Sequence, residues 1–230
     1  MRATILALAT IILVPARPAL ADDDLTEFNV VAGTLSQNLS DHAFDLFSDN
    51  DWMAAGSIGL EVEVWDELFV RASYVEGTQM SHLFSFRYDT ELTIREPQLT
   101  VRKGYSLTPW LRPYAGITGI LSYVSARVSK SYEFDLDHAQ WVWGGKAGAG
   151  VELLIPRTFF NAMDATGLFK DFTLGIALES GYLLRPPVDL STMGDDAGSS
   201  DEPVVAEGLI DMGEIGLAGW YITVDFRAYF

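Results

Sequence analysis

Hydrophobic and polar residues alternate along much of this chain. The last segment shows the pattern most clearly, with one set of alternate positions apolar and the other largely polar: Trp220, Ile222, Val224, Phe226, Ala228 and Phe230 against Tyr221, Thr223, Asp225, Arg227 and Tyr229. Successive side chains of a β-strand point to opposite faces of a sheet. The alternation therefore predicts a strand with one apolar and one polar face.

The same period recurs and predicts eight strands. They span 26–35, 52–64, 68–76, 84–105, 113–128, 139–155, 171–184 and 215–230. A short turn at 65–67 should join the second strand to the third, and this register would place Glu61 directly opposite Arg71.

The fourth strand contains an apparent change of phase around Pro97. A bulge at this residue would explain the change, since proline cannot complete a ladder of hydrogen bonds. A competing interpretation makes Glu96 and Pro97 a hairpin and omits the first strand. This interpretation also gives eight strands, but it exchanges the outer and periplasmic sides of the connections in the N-terminal half.

No long apolar run follows the N-terminal region. The longest stretch there without a charged residue is Pro113–Ala126, which has 14 residues, whereas a transmembrane helix needs about 20. Yet 49% of the chain is hydrophobic. Alternating lipid-facing and lumen-facing residues reconcile these facts, so we predict an all-β fold, an eight-stranded antiparallel transmembrane β-barrel.

An even number of strands places both ends of the barrel chain on one side, predicted to be the periplasm. The connections 65–67, 106–112 and 156–170 then lie at the periplasmic end, and 36–51, 77–83, 129–138 and 185–214 at the outer end. Aromatic residues separate into two groups accordingly, as at the two interfaces of a membrane. The outer group is Trp52, Tyr74, Trp141, Trp143 and Trp220; the periplasmic group is Trp65, Tyr105, Trp110, Tyr114, Tyr229 and Phe230.

The N-terminus has the pattern of a secretory signal peptide. Arg2 precedes an apolar run that ends before Pro15, and Ala19 and Ala21 supply the small residues of a cleavage site. We expect residues 1–21 to be removed, leaving 22–230 as the barrel domain. The net charge of −17 makes nucleic-acid binding improbable, and the absence of cysteine excludes disulfides and zinc–thiolate sites.

These features resemble the small outer-membrane barrels of the OmpA-transmembrane, OmpX and OmpW type. The resemblance rests on the signal peptide, the eight amphipathic strands, the stretch 107–116 (LTPWLRPYAG) and the terminal Tyr229–Phe230. It implies the bacterial outer membrane as the location, with membrane lipid and lipopolysaccharide as partners. The last strand also resembles the signal that the barrel-assembly machinery reads, with Phe226, Tyr229 and Phe230 as its residues.

Charged residues of both signs fall on predicted lumen positions. They are Glu61, Glu63, Arg71, Arg87, Asp89, Glu91, Arg95, Lys146, Glu152, Glu179, Asp225 and Arg227. An eight-stranded barrel is nearly filled by its own side chains, which favours a salt-bridge network that closes the lumen. The alternative is a narrow channel or a transporter of small hydrophobic solutes, with a path controlled by Glu61 and Arg71.

Enzymatic and metal chemistry receive little support. All three histidines lie in predicted outer loops, and the best acyl-transfer set, for a lipid A-modifying hydrolase or transferase, is His138, Asp137 and Ser131. No recognised enzyme motif, cofactor or metal site is predicted. A loop with Asp195, Asp196, Asp201 and Glu202 could share divalent cations with lipopolysaccharide. We therefore expect a non-enzymatic barrel with a structural or surface-interaction role and acidic outer loops.

Overall fold

The computed structural model describes residues 28–39, 44, 47–48, 51–83, 88–130, 134–155, 173–189 and 214–230. Ten strands occur there: β1 (Phe28–Asn38), β2 (Trp52–Trp65), β3 (Leu68–Leu83), β4 (Tyr88–Gly104), β5 (Leu111–Lys130), β6 (Phe134–Ile155), β7 (Thr173–Leu184), β8 (Val188–Asp189), β9 (Glu214–Ile215) and β10 (Gly219–Tyr229). No helix in this part of the chain is long and apolar enough to cross a membrane.

Eight of these strands form a closed antiparallel barrel in the order β1-β10-β7-β6-β5-β4-β3-β2. The short strands β8 and β9 pair with each other between β7 and β10. The predicted fold class is thus confirmed. The first strand pairs with both β2 and β10 and closes the barrel, so the count that omitted it is wrong.

We call the two ends of the barrel the turn end and the loop end. At the turn end the barrel begins and ends, and β2 ends near the start of β3, β4 near that of β5, and β6 near that of β7. At the loop end β1 ends near the start of β2, β3 near that of β4, β5 near that of β6, and β7 near that of β10. Two predicted loops are shorter than expected. Residues 77–83 all belong to β3, so the outer loop predicted there was misplaced. Lys130 still belongs to β5 and Phe134 already begins β6, so the loop predicted at 129–138 was too wide.

The stagger between strands can be followed along one rung of outward-facing residues. The rung runs from Phe28 through Val62, Val70, Val101, Ile117, Ala147, Tyr182 and Trp220. The β1–β10 register, extended by one residue, places Trp220 beside Asn38 of β1. A rung that leaves β1 at Phe28 therefore returns to β1 at Asn38, ten residues further along the strand. Such a stagger requires strands tilted by about 40° from the barrel axis.

Pro97 lies in the middle of β4, opposite Tyr74 of β3. On its other side, the pairs Arg95–Tyr123 and Gln98–Ile120 have the same register, although no pairing is formed at Pro97 itself. The hairpin and the bulge predicted here are therefore both wrong. A register shift occurs instead in β2, between Glu63 and Trp65.

The outward face of the barrel is apolar over most of its height. On β10 every outward residue from Phe230 to Trp220 is apolar and most are well exposed. Exposed aromatic residues mark both ends of this band: Trp65, Trp110 and Phe230 at the turn end, and Trp52, Trp141, Trp143 and Trp220 at the loop end. Tyr114 and Tyr229, predicted for the periplasmic group, are instead buried inside the barrel.

The four strands β3 to β6 extend further than the others at the loop end. Beyond the aromatic band, their outward face becomes polar, with rungs such as His82–Asp89–Ser129 and Glu91–Arg127–Asp137. Their inward face becomes apolar, as at Leu92 and Val128. The barrel wall is thus taller at β3 to β6. In this taller part the outward face is polar and the inward face is apolar, the reverse of the rest of the wall.

Candidate functional site

The interior near the turn end is filled by charged side chains. We call this group the turn-end ionic cluster; its members are Glu61, Arg71, Arg102, Arg112, Glu152, Asp225 and Arg227. They come from β2 to β6 and from β10, and each is at most 5% exposed. Inward positions on converging strands therefore bring together residues that are far apart in sequence.

Glu61 is bound by the guanidinium of Arg102. Arg102 donates through Nε to Glu61 Oε2 (2.6 Å) and through Nη2 to Glu61 Oε1 (2.5 Å). Asn29 Nδ2 donates to the same Oε1 atom at 3.1 Å. Bidentate pairing of this kind is both directional and strong, so it fixes β1, β2 and β4 relative to one another.

Glu152 lies among three arginines. Its Oε2 atom is 3.1 Å from Arg227 Nη1, 3.5 Å from Arg102 Nη1 and 3.6 Å from Arg112 Nη1. The hydroxyl of Tyr229 donates to its other oxygen. Glu152 is therefore the anion that compensates the highest density of positive charge in the described interior.

Arg71 pairs with Asp225 across the lumen, Nη1 to Oδ2 at 2.7 Å. Glu61 and Arg71 are cross-strand neighbours as predicted, and both point inward. They nevertheless form no ion pair, because each side chain reaches a partner on another strand. The two residues are therefore neighbours in register without being ionic partners, and the control of a path by Glu61 and Arg71 stays a prediction.

Aromatic rings separate the guanidinium groups. The Arg102 guanidinium carbon lies 4.2 Å from the Phe69 ring centroid, and that of Arg227 lies 4.9 Å from the Tyr114 centroid. Arg112 also faces Phe69, at 5.4 Å. Such contacts stabilise desolvated cations when there are fewer carboxylates than arginines.

A second ionic group lies nearer the loop end. Arg185 Nη2 is 2.6 Å from Glu96 Oε1, which also accepts a hydrogen bond from the Ser122 hydroxyl at 2.7 Å. Gln98 donates to Glu96 Oε2 (2.8 Å), and Arg185 donates to Gln37 (3.3 Å). This group joins side chains from four elements of the described chain inside the barrel.

Between the two ionic groups the lumen holds smaller polar contacts. Thr100 and Thr118 share a hydrogen bond of 2.9 Å, and the Tyr221 hydroxyl donates to Glu179 at 2.7 Å. Lys146 is buried against the Tyr221 ring. A small cavity adjoins Lys146.

At the loop end an apolar plug fills the barrel. It consists of wall residues and of residues from two connections: Met53, Leu92, Ile94, Val124, Ala126, Val128 and Val142 with Leu39, Phe44, Phe47, Val188, Ile215 and Leu217. Phe44, Phe47 and Val188 have no exposed surface. Side chains from the connections therefore pack against wall residues where the charged residues end.

The structure places seven of the predicted lumen charges inside the barrel: Glu61, Arg71, Lys146, Glu152, Glu179, Asp225 and Arg227. Four others lie elsewhere. Asp89, Glu91 and Arg95 face outward on β4, and Arg95 pairs with Glu76 at 2.9 Å on the exterior. Glu63 is half-buried at the turn end, where its Oε1 accepts from the Glu67 amide at 2.5 Å. Arg87 lies outside the described residues.

Sequence reasoning missed four buried charges: Glu96, Arg102, Arg112 and Arg185. The alternation of β4 contained the signal for two of them. If the alternation continues through Pro97 without a change of phase, four polar residues share the inward face: Glu96, Gln98, Thr100 and Arg102. The assumed bulge at Pro97 hid this continuity.

The structure does not assemble the candidate acyl-transfer set. Asp137 and His138 are consecutive on β6, so their side chains point to opposite faces, with Asp137 exposed and His138 half-buried. Ser131 lies outside the described residues, as do His42 and the acidic loop of Asp195, Asp196, Asp201 and Glu202. Within the described ranges no group of three acidic or histidine side chains could hold a metal ion.

The proposed assembly residues divide between two faces of β10. Phe226 and Phe230 are exposed on the outside, whereas Tyr229 points inward to Glu152. The two phenylalanines are thus accessible to a partner. Tyr229 has a structural role in the turn-end ionic cluster.

No known family model matches the chain, and no curated protein matches it significantly. Among solved structures, Neisserial surface protein A is similar over 88% of this chain and 97% of its own, at 12% identity and a TM-score of 0.49. Ail, the attachment invasion locus protein of Yersinia pestis, solved with the heparin analogue sucrose octasulfate, covers 89% and 97%, at 9% identity and a TM-score of 0.45. Both are small eight-stranded outer-membrane barrels, the class that the sequence resembles.

Proposed function

We propose that this protein is a closed, non-conducting barrel of the bacterial outer membrane, which acts through the surface it presents at its loop end. The observation that carries the proposal is the filling of the lumen. Two ionic groups and an apolar plug follow one another along the axis, and all three consist of buried side chains. Ions would have to displace each of them to pass.

The outward apolar band supports membrane insertion. On β10 it spans ten residue steps, from Phe230 to Trp220. At about 3.3 Å per residue and a tilt of about 40°, this corresponds to a height of about 25 Å. The apolar band of outer-membrane barrels has this height, with aromatic residues at both interfaces.

The tall side of the wall supports a role at the surface. Beyond the loop-end aromatic residues, β3 to β6 carry charged and hydroxyl side chains on their outward face. A polar sheet that rises above the membrane is suited to contact partners outside the cell. The acidic loops predicted from the sequence would extend the same surface.

Planar-bilayer recording tests the closed lumen. The folded protein should insert without steady single-channel currents, and insertion can be verified by its heat-modifiable mobility in gels. Glu152→Ala, which disturbs the turn-end ionic cluster alone, should remain silent because the Glu96 group and the plug still close the lumen. Steady currents of the wild type that change with Glu61 or Arg71 replacement would overturn the proposal.

Cysteine labelling tests the location and orientation, since the chain has no cysteine of its own. His82→Cys, at the exposed loop end of β3, should react with a membrane-impermeant maleimide on intact cells. Asp66→Cys, exposed at the turn end, should react only after the outer membrane is opened. The reverse pattern would invert the barrel, and equal labelling of both would place the protein elsewhere.

A further inference from the structure

A small cavity lies inside the barrel between its two ionic groups. Arg71 and Asp225 line it from the turn-end side, and Lys146, Gln98 and Thr223 complete much of its wall. It has room for about one water-sized particle. Apolar side chains such as Val31 and Val75 line the remainder, so the few charged groups decide which particle the cavity holds.

Lys146 brings a charge to this cavity without a matching carboxylate. The residue is 6% exposed, and among the described residues it forms no ion pair within 4 Å. Its ammonium lies 5.1 Å from the Tyr221 ring centroid, while the nearby Glu179 is bound by the Tyr221 hydroxyl. A buried ammonium in this position lacks an acceptor for its protons.

Arg71 lines the same cavity, and one of its donors has no partner. Its Nη1 atom binds Asp225, but its buried Nε has no acceptor among the described residues. Asp225 is meanwhile shared with Arg227, whose Nη2 lies 3.6 Å away. The negative charge of Asp225, the one carboxylate that lines the cavity, is therefore already shared by two arginines.

The described interior as a whole has an excess of positive charge. Its buried side chains include the cations Arg71, Arg102, Arg112, Lys146, Arg185 and Arg227 and the anions Glu61, Glu96, Glu152, Glu179 and Asp225. This leaves one positive charge over, although the chain carries a net charge of −17. An uncompensated charge away from water is costly, so the interior favours a counter-ion.

We propose that the cavity binds one monovalent inorganic anion of the halide class, held by the Lys146 ammonium and the Arg71 guanidinium. The anion neutralises the surplus charge and accepts the hydrogen bonds that the two side chains leave unmade. The size of the cavity excludes organic anions. Bound there, the anion joins β3 to β6 inside the lumen and stabilises the closed barrel.

Thermal unfolding in detergent, read as the loss of the heat-modifiable gel shift, tests the proposal. At constant ionic strength, replacing sodium gluconate by sodium chloride should raise the midpoint. Above the dissociation constant, each tenfold rise in chloride should add on the order of 3–6 °C. Lys146→Met should abolish this dependence, and Lys103→Met, at the turn end, should retain it. Equal midpoints of the wild type in both salts would overturn the proposal.

Crystals grown with sodium bromide give a direct measurement. An anomalous difference peak is expected between Lys146 and Arg71 in the wild type and in Lys103→Met, and none in Lys146→Met. Water without anomalous signal at this position would refute halide binding. If Lys146→Met does not fold, Lys146→Gln replaces it, and the wild-type salt series and bromide map still decide the question.

Discussion

The two halves of the barrel interior are filled by opposite chemistries. Near the turn end, buried arginines and carboxylates from six strands neutralise one another, with Glu152 among three guanidinium groups. Near the loop end, an apolar plug packs wall residues such as Leu92 against Phe44 and Phe47 of a connection. The first half depends on attraction between buried groups of opposite charge, the second on close packing.

This difference explains why the fourth strand appeared to change phase at Pro97. From Pro97 toward the turn end, the outward face of the strand is apolar and the inward face polar, as with Leu99 and Arg102. From Pro97 toward the loop end, the outward face is polar and the inward face becomes apolar, as with Arg95 and Ile94. The backbone keeps one alternation throughout. What changes is the polarity of each face: the outward face turns from apolar to polar, and the inward face turns from charged to apolar.

The largest effect is expected from Glu152→Ala. The substitution leaves Arg102, Arg112 and Arg227 without a shared anion in a buried site, which should reduce the free energy of unfolding by about 3–5 kcal/mol. Urea titration followed by tryptophan fluorescence measures it.

The matched control is Glu91→Ala, an outward glutamate on the tall side of the wall, which should change stability much less. If both substitutions had similar effects, charge neutralisation in the turn-end half would not be what stabilises it. Glu152→Gln should fall between the two, since it keeps the shape and the Tyr229 contact.

A somewhat smaller loss is expected from Leu92→Ala in the apolar plug. Truncation of a fully buried leucine leaves a cavity and should cost about 3 kcal/mol in the same titration. Leu99→Ala, on the same strand but exposed on the outside of the barrel, removes the same atoms without leaving a cavity and should cost less. Equal losses would show that the plug is not closely packed.

Double-mutant cycles can distinguish residues that are only cross-strand neighbours from residues whose side chains bind each other. Arg71→Met combined with Asp225→Asn should reveal a coupling energy of about 1–3 kcal/mol, because the two side chains bind each other in a buried site. The cycle of Arg71→Met with Glu61→Gln should give a smaller value, although these residues are cross-strand neighbours. A larger coupling for the second pair would contradict the lumen geometry.

The smallest effect is expected from the exterior pair of Arg95 and Glu76. Both side chains are about half exposed, so solvent and salt screen their attraction. Arg95→Gln should leave the urea midpoint within experimental error. A clear loss of stability would mean that this pair belongs to a network with further partners.

Much of the fold was predictable from the sequence because alternation has a local cause. The eight barrel strands, the turn at Asp66 and Glu67 and the opposition of Glu61 and Arg71 all follow from a period of two and a short connection. The inward face of β10, from Tyr221 to Tyr229, was also readable. The faces of β4 above Pro97 were not, because polarity alone does not say what surrounds a strand.

The sequence by itself therefore determined the strands, their order and, away from Pro97, which residues share a face, since these depend on neighbours along the chain. The tertiary structure decided the partners. Stagger by ten residues around the closed barrel brings Arg102 to Glu61 and Asp225 to Arg71, and folds Phe44 and Phe47 into the loop end. Contacts across a lumen depend on closure, tilt and side-chain reach, and no local pattern encodes these.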